Sequence, residues 1–416
     1  MHTTRRSGRL QETCHLAKTM LSVRGEADAA GLAASLIDGI DALNDAESFH
    51  FFRFLSSEFA PDPALVRTAV EDYLAAPGLN SLLQLQQAVD APRQELFRRM
   101  NRATSGTGAI VRMRARLLGF GTGDPELRAV DADLRHLLAS WFNPGFLRLA
   151  QLDWSSPASL LEKLIEHEAV HAITGWDDLR RRLQPDRRCF AFFHPQLPDE
   201  PLIFVEVALV PTIATAIAPL IDASAEVLDA GCFHTAMFYS ISNCQPGLRG
   251  ISMGTFLIKR VVDALRREIP TLTQFCTLSP MPGFNAWLDT VGDERLAPTG
   301  RPWLDAVRDG WCPAMATDTQ RTALLEQATR YVADVSTSAV GDPVARFHLS
   351  NGASLHRINW AADGSPKGIR QSSGLMVNYL YDPQRLETNH EAFANGIVMR
   401  SCPAASPEQT EAGDAG

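Results

Sequence analysis

The sequence predicts an α+β protein in which an all-helical bundle domain precedes a mixed α/β domain. The chain has 416 residues, roughly two to three times the usual domain size, with 45% apolar and 21% charged residues. Apolar stripes at helical spacing dominate its first part, whereas the second part contains continuous apolar runs and a glycine-rich loop. We therefore expect a helical bundle over 1–143, a mixed α/β domain over 144–400 and a disordered tail over 401–416.

Two helices of the first part are marked by an Asp-Pro pair. Asp62-Pro63 and Asp124-Pro125 each supply an N-cap residue and a proline at the first helical position. The helix after Pro63 has one apolar face, formed by Leu65, Val66, Ala69, Val70, Tyr73 and Leu74. Further helices are predicted over 31–44, 45–59, 81–101 and 108–118. Such helices bury their stripes against each other, and we interpret the bundle as a scaffold or an oligomerisation surface.

The second part contains three predicted strands. Residues 202–210 form a nearly continuous apolar, β-branched run, which is typical of a strand buried on both faces. A second strand is predicted over 236–242 and a third over 272–278. Between these two lie a glycine loop, 245–251, and an amphipathic helix over 254–268. This order of elements predicts the mixed α/β domain.

Composition excludes several classes of partner and location. With 39 basic and 48 acidic residues the net charge is −9, which argues against nucleic acid as the main partner. The seven cysteines include no C-x-x-C pair, as expected of reduced thiols in a cytoplasmic protein. Glu206, Pro211 and Pro219 interrupt the longest apolar stretch, so no membrane span is predicted. The scarcity of lysine is typical of GC-rich bacterial genomes, and we expect a bacterial cytoplasmic protein.

The glycine loop is a candidate phosphate site. Glycines 247, 250 and 254 lie between a strand and a helix, where backbone N–H groups can approach a phosphate closely. Their spacing does not match the Rossmann or P-loop patterns, but is similar to the pyrophosphate loop of the GNAT acyltransferase fold, which holds coenzyme A. The substrate-binding candidates are therefore Gln245, Pro246, Gly247, Leu248, Arg249, Gly250, Ile251 and Gly254. A tight turn without a ligand is the alternative interpretation.

A zinc motif is present in the sequence but incomplete. His167-Glu168-Ala169-Val170-His171 matches H-E-x-x-H, which on a helix places both imidazoles on one face with Glu168 as general base. A third ligand is required, and the nearest downstream histidine, His194, lies in a loop-like segment. We therefore predict no metal here and interpret the segment as a surface helix that leads into the sheet.

Several separate segments, in the same order along the chain, together resemble malonyl-CoA decarboxylases. They are 188–195, 200–208, 238–242, 254–262, 278–284, 342–349, 351–353, 357–360 and 376–379. The resemblance covers about residues 140–382. It implies a helical domain followed by a GNAT-like catalytic domain, and a carboxy-lyase of fatty acid or malonate metabolism that converts malonyl-CoA to acetyl-CoA and carbon dioxide. It also implies no metal or prosthetic group, with coenzyme A present only as part of the substrate. Separately from the resemblance, we expect a homo-oligomer.

The implied chemistry needs a small set of groups. Loss of carbon dioxide leaves an enolate, so the site needs donors near the thioester oxygen, a dry setting and a proton donor near the α-carbon. The resemblance implies His348 as that proton donor, and an ordinary pKa near ~6.5 would let it titrate near neutral pH. It implies Ser279 as a hydrogen-bonding catalytic residue and Tyr381 as a supporting one. Judged from the residues alone, structural interpretations stay open for all three. His348 could be a hydrogen-bonded core residue, Ser279 a turn former before Pro280, and Tyr381 an ordinary strand aromatic.

Two other functions are compatible with the same fold. A GNAT-type acyl-CoA N-acyltransferase would need a groove for an amine and would release free coenzyme A. A non-enzymatic acyl-CoA-binding sensor would bind the ligand without turnover. The presence of both Ser279 and His348 argues against the sensor.

Overall fold

The computed structural model describes two compact units. The described residues are 2–22, 29–121, 123–251, 257–291, 312–337 and 341–401. The first unit comprises Met1–Arg148, Phe193–Leu202 and Gln245–Met253. The second comprises Leu149–Phe192, Ile203–Cys244 and Gly254–Gly416. The predicted domain boundary at 143/144 stays a prediction, and the predicted tail, apart from Ser401, lies outside the described residues.

Helices make up most of the first unit. They are α1 (His2–Leu21), α2 (Ala29–Asp41), α3 (Asp45–Glu58), α4 (Pro63–Ala75), α5 (Leu79–Val89), α6 (Pro92–Met100), α7 (Gly106–Gly119) and α8 (Pro125–Trp141). The Asp62 carboxylate accepts the N–H of Ala64, and the Asp124 carboxylate accepts that of Glu126. These two N-caps with their following prolines begin α4 and α8, as the Asp-Pro pairs predict.

Two details of the helical prediction are wrong. The helix predicted over 81–101 is two helices, because Pro92 lacks an N–H and its ring blocks the preceding turn, so it begins α6 instead. The apolar face predicted for α4 is mostly exposed: Leu65 is 62% and Leu74 72% accessible, and only Ala69 of that helix is buried. Helix α4 packs on α5, and this pairing leaves both leucines at the surface.

In its described residues, the second unit adds nine α-helices to its strands. They are α9 (Ala158–His167), α10 (Trp176–Arg182), α11 (Ala218–Ile221), α12 (Leu257–Glu268), α13 (Phe284–Leu288), α14 (Asp318–Ala333), α15 (Pro343–Ser350), α16 (Pro366–Ser372) and α17 (Leu386–Ala394). Within the described ranges, no helix of the chain is both long and apolar enough to span a bilayer.

The sheet has eight strands in the described residues. They are β1 (Arg148–Leu152), β2 (Arg187–His194), β3 (Leu197–Val210), β4 (Thr235–Asn243), β5 (Gln274–Thr277), β6 (Ser279–Pro280), β7 (Ser354–Asn359) and β8 (Met376–Leu380). Their order is β1-β2-β3-β4-β5-β8-β6, and β7 pairs with β8. All residues from 201 to 210 in β3 are buried, which confirms the strand predicted from the continuous apolar run.

The central strand pairs determine the fold class. Strand β4 is antiparallel to β3 and parallel to β5, whereas β8 is antiparallel to β5, β6 and β7. Parallel neighbours need a crossover, and here α12 lies between β4 and β5 in the chain. The observed helical part and this mixed sheet confirm the predicted α+β class with a GNAT-like second part.

Candidate active site

Three of the predicted site residues form one buried hydrogen-bonded chain. The Oγ atom of Ser279 lies 2.9 Å from Nε2 of His348, and Nδ1 of the same ring lies 2.9 Å from the hydroxyl of Tyr381. Ser279 also donates to the Oγ1 atom of Thr277 at 2.9 Å. The structure therefore brings together the residues that the resemblance selects, although they are separated by up to 102 positions in the chain.

Strand pairing and one helix cap position this chain. Ser279 begins β6, which pairs with β8, and Tyr381 directly follows β8. The histidine lies on α15, a helix whose N-cap is Asp342. The carboxylate of Asp342 accepts the N–H groups of Val344 and Ala345 at 2.9 and 3.0 Å. The cap fixes where α15 begins and hence where its imidazole lies relative to the strands.

The hydrogen bonds of this chain also indicate which atom donates at each step. Ser279 has one hydroxyl proton and donates it to Thr277, so its oxygen accepts from the N–H at Nε2 of His348. The neutral ring then has no proton on Nδ1, which accepts from the hydroxyl of Tyr381. The donors therefore point one way along the chain, from the Tyr381 hydroxyl to the imidazole and from the imidazole to Ser279.

Burial keeps His348 neutral. The residue is only 3% exposed, and the ring of Tyr379 stacks on it with centroids 4.8 Å apart. Desolvation lowers the pKa of His348 from the usual 6.5 to about 3, because an apolar environment disfavours the charged ring. The expectation that this histidine titrates near neutral pH is therefore wrong. At neutral pH the site contains an uncharged imidazole.

This low pKa predicts a loss of stability in acid. Between about pH 6.5 and about pH 3 the unfolded chain protonates His348 while the folded protein does not, so the free energy of unfolding falls as the pH falls. From about pH 7 to about pH 5 this group alone should remove on the order of 2 kcal/mol. Urea unfolding at both pH values should show a smaller fall for His348→Asn than for the wild type. Equal falls would contradict the neutral, buried ring.

Two residues of the site were missed by sequence reasoning. Thr277 is fully buried, accepts from Ser279 and also accepts the N–H of Tyr379 at 3.1 Å, so it fixes the serine hydroxyl. Tyr379 covers one face of His348. The T-x-S pattern at the end of a strand was a signal for the threonine, because alternate strand residues share a face. Tyr379 lies in the segment 376–379 that carries the resemblance, but nothing in that segment indicates a contact with His348.

The predicted glycine loop is held on the helical part of the first unit. The loop follows β4 and contains a short 3-10 turn, Pro246–Leu248. The side-chain amide of Gln245 donates to the carbonyl of Pro201 at 3.1 Å. At Gly247, an added Cβ atom would lie 1.9 Å from the carbonyl oxygen of Val111 in α7. Only glycine permits this contact, which explains that position without a ligand.

A buried arginine fixes the same loop. Arg114 of α7 donates from Nη1 to the carbonyl oxygens of Gly247 and Arg249, at 2.6 and 3.0 Å. Its Nε atom donates to Asp131 of α8 at 2.7 Å. Sequence reasoning missed Arg114, because nothing local marks a contact across more than 130 residues. The arginine positions the loop backbone from the helical side.

The exposed end of the loop is open. Gly250 has φ of +76°, a backbone conformation that favours glycine, and nothing lies within 4 Å of a Cβ atom built there. Arg249 is exposed and Ile251 is buried. The last predicted loop residue, Gly254, lies outside the described residues. Binding of substrate by the loop stays a prediction.

The zinc motif does not form a helical pair of histidines. Helix α9 ends at His167, and the buried carboxylate of Glu168 accepts the N–H groups of Val170 and His171, both at 2.8 Å. These bonds turn the chain out of the helix. The surface helix predicted for this segment therefore ends at His167, and the prediction is wrong for Glu168, which lies outside the helix and is only 7% exposed.

The carboxylate of the motif is bound to the sheet instead. Ser240 donates to Glu168 at about 2.8 Å and Ser242 at 3.1 Å, both from β4. His194 is the last residue of β2, and both its ring nitrogens are hydrogen-bonded, to Trp141 and Gln196. Across the described parts of the chain, no group of three or more histidine, cysteine or acidic residues is placed to hold a metal ion.

The fold indicates the class of protein, and comparison with family models identifies the family. The helical first part and the mixed sheet define an α+β protein whose second part has a GNAT-like fold. The family model "Malonyl-CoA decarboxylase C-terminal domain" matches residues 145–410, and "Malonyl-CoA decarboxylase N-terminal domain" matches residues 59–142. The chain therefore belongs to the malonyl-CoA decarboxylase family.

Relatives and solved structures agree with this assignment. The chain is 34% identical over 348 residues to mitochondrial malonyl-CoA decarboxylase of the goose Anser anser anser, covering 75% of this chain and 69% of the relative. It superposes on a malonyl-CoA decarboxylase from Rhodopseudomonas palustris with a TM-score of 0.88 at 46% identity, covering 94% and 98% of the two chains. For that of Agrobacterium vitis the TM-score is 0.85 at 47% identity, with the same coverage.

Proposed function

We propose that the protein converts malonyl-CoA to acetyl-CoA and carbon dioxide, with His348 as proton donor and Ser279 as a hydrogen-bonding partner of the substrate. The observation that carries the proposal is the buried chain of hydroxyl, neutral imidazole and hydroxyl. Its bonds are all about 2.9 Å long, and Ser279, His348 and Tyr381 are each at most 5% exposed. Such a chain can move a proton without a charged intermediate on the histidine.

A neutral and dry site suits this reaction. The malonyl carboxylate must lose its charge as carbon dioxide leaves, so water or a cation beside it would stabilise the starting state. An imidazolium at position 348 would be such a cation, and the pKa of about 3 prevents its formation. If the Ser279 hydroxyl rotates from Thr277 toward the substrate, it can donate to the thioester oxygen and stabilise the charge that develops there.

The proton balance follows from the direction of the chain. The bond between the α-carbon and the carboxylate carbon breaks, and its electron pair remains on the substrate as an enolate. The Nε2 proton of His348, which Ser279 accepts in the free site, passes to the α-carbon, while the hydroxyl proton of Tyr381 moves to Nδ1. An enolate carbon is a strong base, so a neutral donor is sufficient. Burial raises the pKa of Tyr381 well above 10, so the tyrosine regains its proton from solvent.

We also propose that no metal or cofactor takes part, and that coenzyme A acts only as part of the substrate. Purified protein treated exhaustively with a chelator should form acetyl-CoA and carbon dioxide from malonyl-CoA at an unchanged rate, with no amine present. Addition of zinc should have no effect. A large loss of turnover that zinc specifically restores would contradict this proposal. Product formation only after addition of an amine would identify an N-acyltransferase instead.

A further inference from the structure

A cavity in the first unit lies beside the glycine loop. A cavity of about 330 Å³ opens between α8 and the loop end, large enough for part of a nucleotide. Its lining residues are Ala132, Arg135, His136, Ala139, Gly250 and Ile251. The four helical residues lie at i, i+3, i+4 and i+7, so they form one face of α8. Two of them have short side chains, and the other two carry an arginine guanidinium and an imidazole.

The loop presents a backbone donor at this cavity. The carbonyl of Arg249 is bonded to Arg114, and in a trans peptide the following N–H points the opposite way. That N–H belongs to Gly250, and no acceptor among the described residues takes it. The positive φ of Gly250 leaves the space above it open. The buried arginine thus orients a donor away from α7 at a residue that lines the cavity.

The charge around the cavity is positive. Two aspartates of α8 lie close to it in sequence, but Asp131 is paired with Arg114, and Asp133 is paired with Arg93. No carboxylate is among the residues that line the cavity. Arg135 is exposed and forms no ion pair with the described residues, so its guanidinium is available to an anion.

We propose that Arg135, His136 and the N–H of Gly250 form a subsite for the phosphate groups at the nucleotide end of the acyl-CoA substrate. The choice of coenzyme A as ligand rests on the proposed function, whereas the anionic character of the ligand rests on the cavity itself. The subsite assigns a binding role to α8, a helix that sequence patterns mark only as scaffold. It makes Arg135 a determinant of affinity for the nucleotide and gives it no part in the bond-breaking step.

The test compares substrates with and without the nucleotide. Arg135→Ala should raise the KM for malonyl-CoA about tenfold, the loss expected for one charge-assisted hydrogen bond, and leave kcat within about twofold. With malonyl-pantetheine, which lacks the nucleotide, the variant and the wild type should have the same KM. Malonyl-3′-dephospho-CoA, which lacks the 3′-phosphate, then shows whether the 3′-phosphate or the pyrophosphate of coenzyme A contacts Arg135. If the effect of the variant disappears with this substrate, the 3′-phosphate occupies the subsite; if it persists, the pyrophosphate does.

The matched control is Arg67→Ala, which removes an exposed arginine of α4 that does not line the cavity. It should leave both KM values unchanged. Equal KM values for malonyl-CoA in Arg135→Ala and the wild type would overturn the subsite, as would an equal rise with malonyl-pantetheine. Calorimetry with coenzyme A alone measures the same affinity difference without turnover. A protein that binds coenzyme A through Arg135 but does not decarboxylate malonyl-CoA would therefore contradict the proposed function and support the subsite.

Discussion

Replacing His348 by asparagine should lower kcat for malonyl-CoA by ~10²–10⁴-fold, the usual cost of losing a positioned general acid. Asparagine keeps the polarity and rough size of the side chain, but it cannot pass a proton between the hydroxyls of Tyr381 and Ser279. The KM should change little, because the assigned phosphate contacts lie on other residues. Steady-state kinetics on variants that retain the wild-type circular dichroism spectrum measure both constants.

A double mutant tests whether Ser279 and His348 act on the same step or independently. Ser279→Ala should also lower kcat, and the double mutant should be at most modestly slower than the more damaged single mutant, because groups that act as a unit are not additive. His356→Asn, which changes a partly buried histidine of β7 outside this chain of hydrogen bonds, is the control and should be close to wild type. Near-normal turnover of a folded His348→Asn would show that the proton comes from another group.

Substitution of Gly247 by alanine should weaken substrate binding strongly. The added methyl group would lie 1.9 Å from the carbonyl oxygen of Val111, so the loop must move off α7. That movement would also break the bonds from Arg114 to the loop carbonyls. We expect the KM for malonyl-CoA to rise at least ~10-fold and the stability to fall by about 1–3 kcal/mol, the usual cost of overpacking.

The control for this loop variant is another glycine of the first unit. Gly119 is the last residue of α7, and nothing lies within 4 Å of a Cβ atom built there. Gly119→Ala should therefore leave the KM and the urea midpoint close to those of the wild type. If Gly247→Ala is equally silent, the loop is not held on α7 as the structure shows, and its role in binding loses its physical basis.

Sequence patterns predicted those elements whose burial can be read from their own residues. The run from 202 to 210 is buried along its length, so its continuous apolar character was sufficient to identify β3. Helix α9 shows the limit, because its end at His167 depends on Glu168 bonding to Ser240 and Ser242, more than 70 residues later. A pentapeptide motif contains no information about such partners.

The candidate site likewise has some features that the sequence predicts and others that depend on distant contacts. The resemblance selected Ser279, His348 and Tyr381, and the structure brings them together. It could not provide the protonation state of the histidine, because that state depends on burial by residues such as Tyr379 from another element. The contact between Arg114 and the glycine loop was likewise beyond reach, since it joins two segments separated by 133 positions.

The most direct test of the central claim is the identity of the products in deuterium oxide. Malonyl-CoA is incubated briefly with the purified protein, without metal or amine, and the coenzyme A esters are analysed by mass spectrometry. The account predicts acetyl-CoA with deuterium in its methyl group and release of carbon dioxide, both suppressed in His348→Asn. Malonyl-CoA that stays intact, or free coenzyme A in place of acetyl-CoA, would contradict the account.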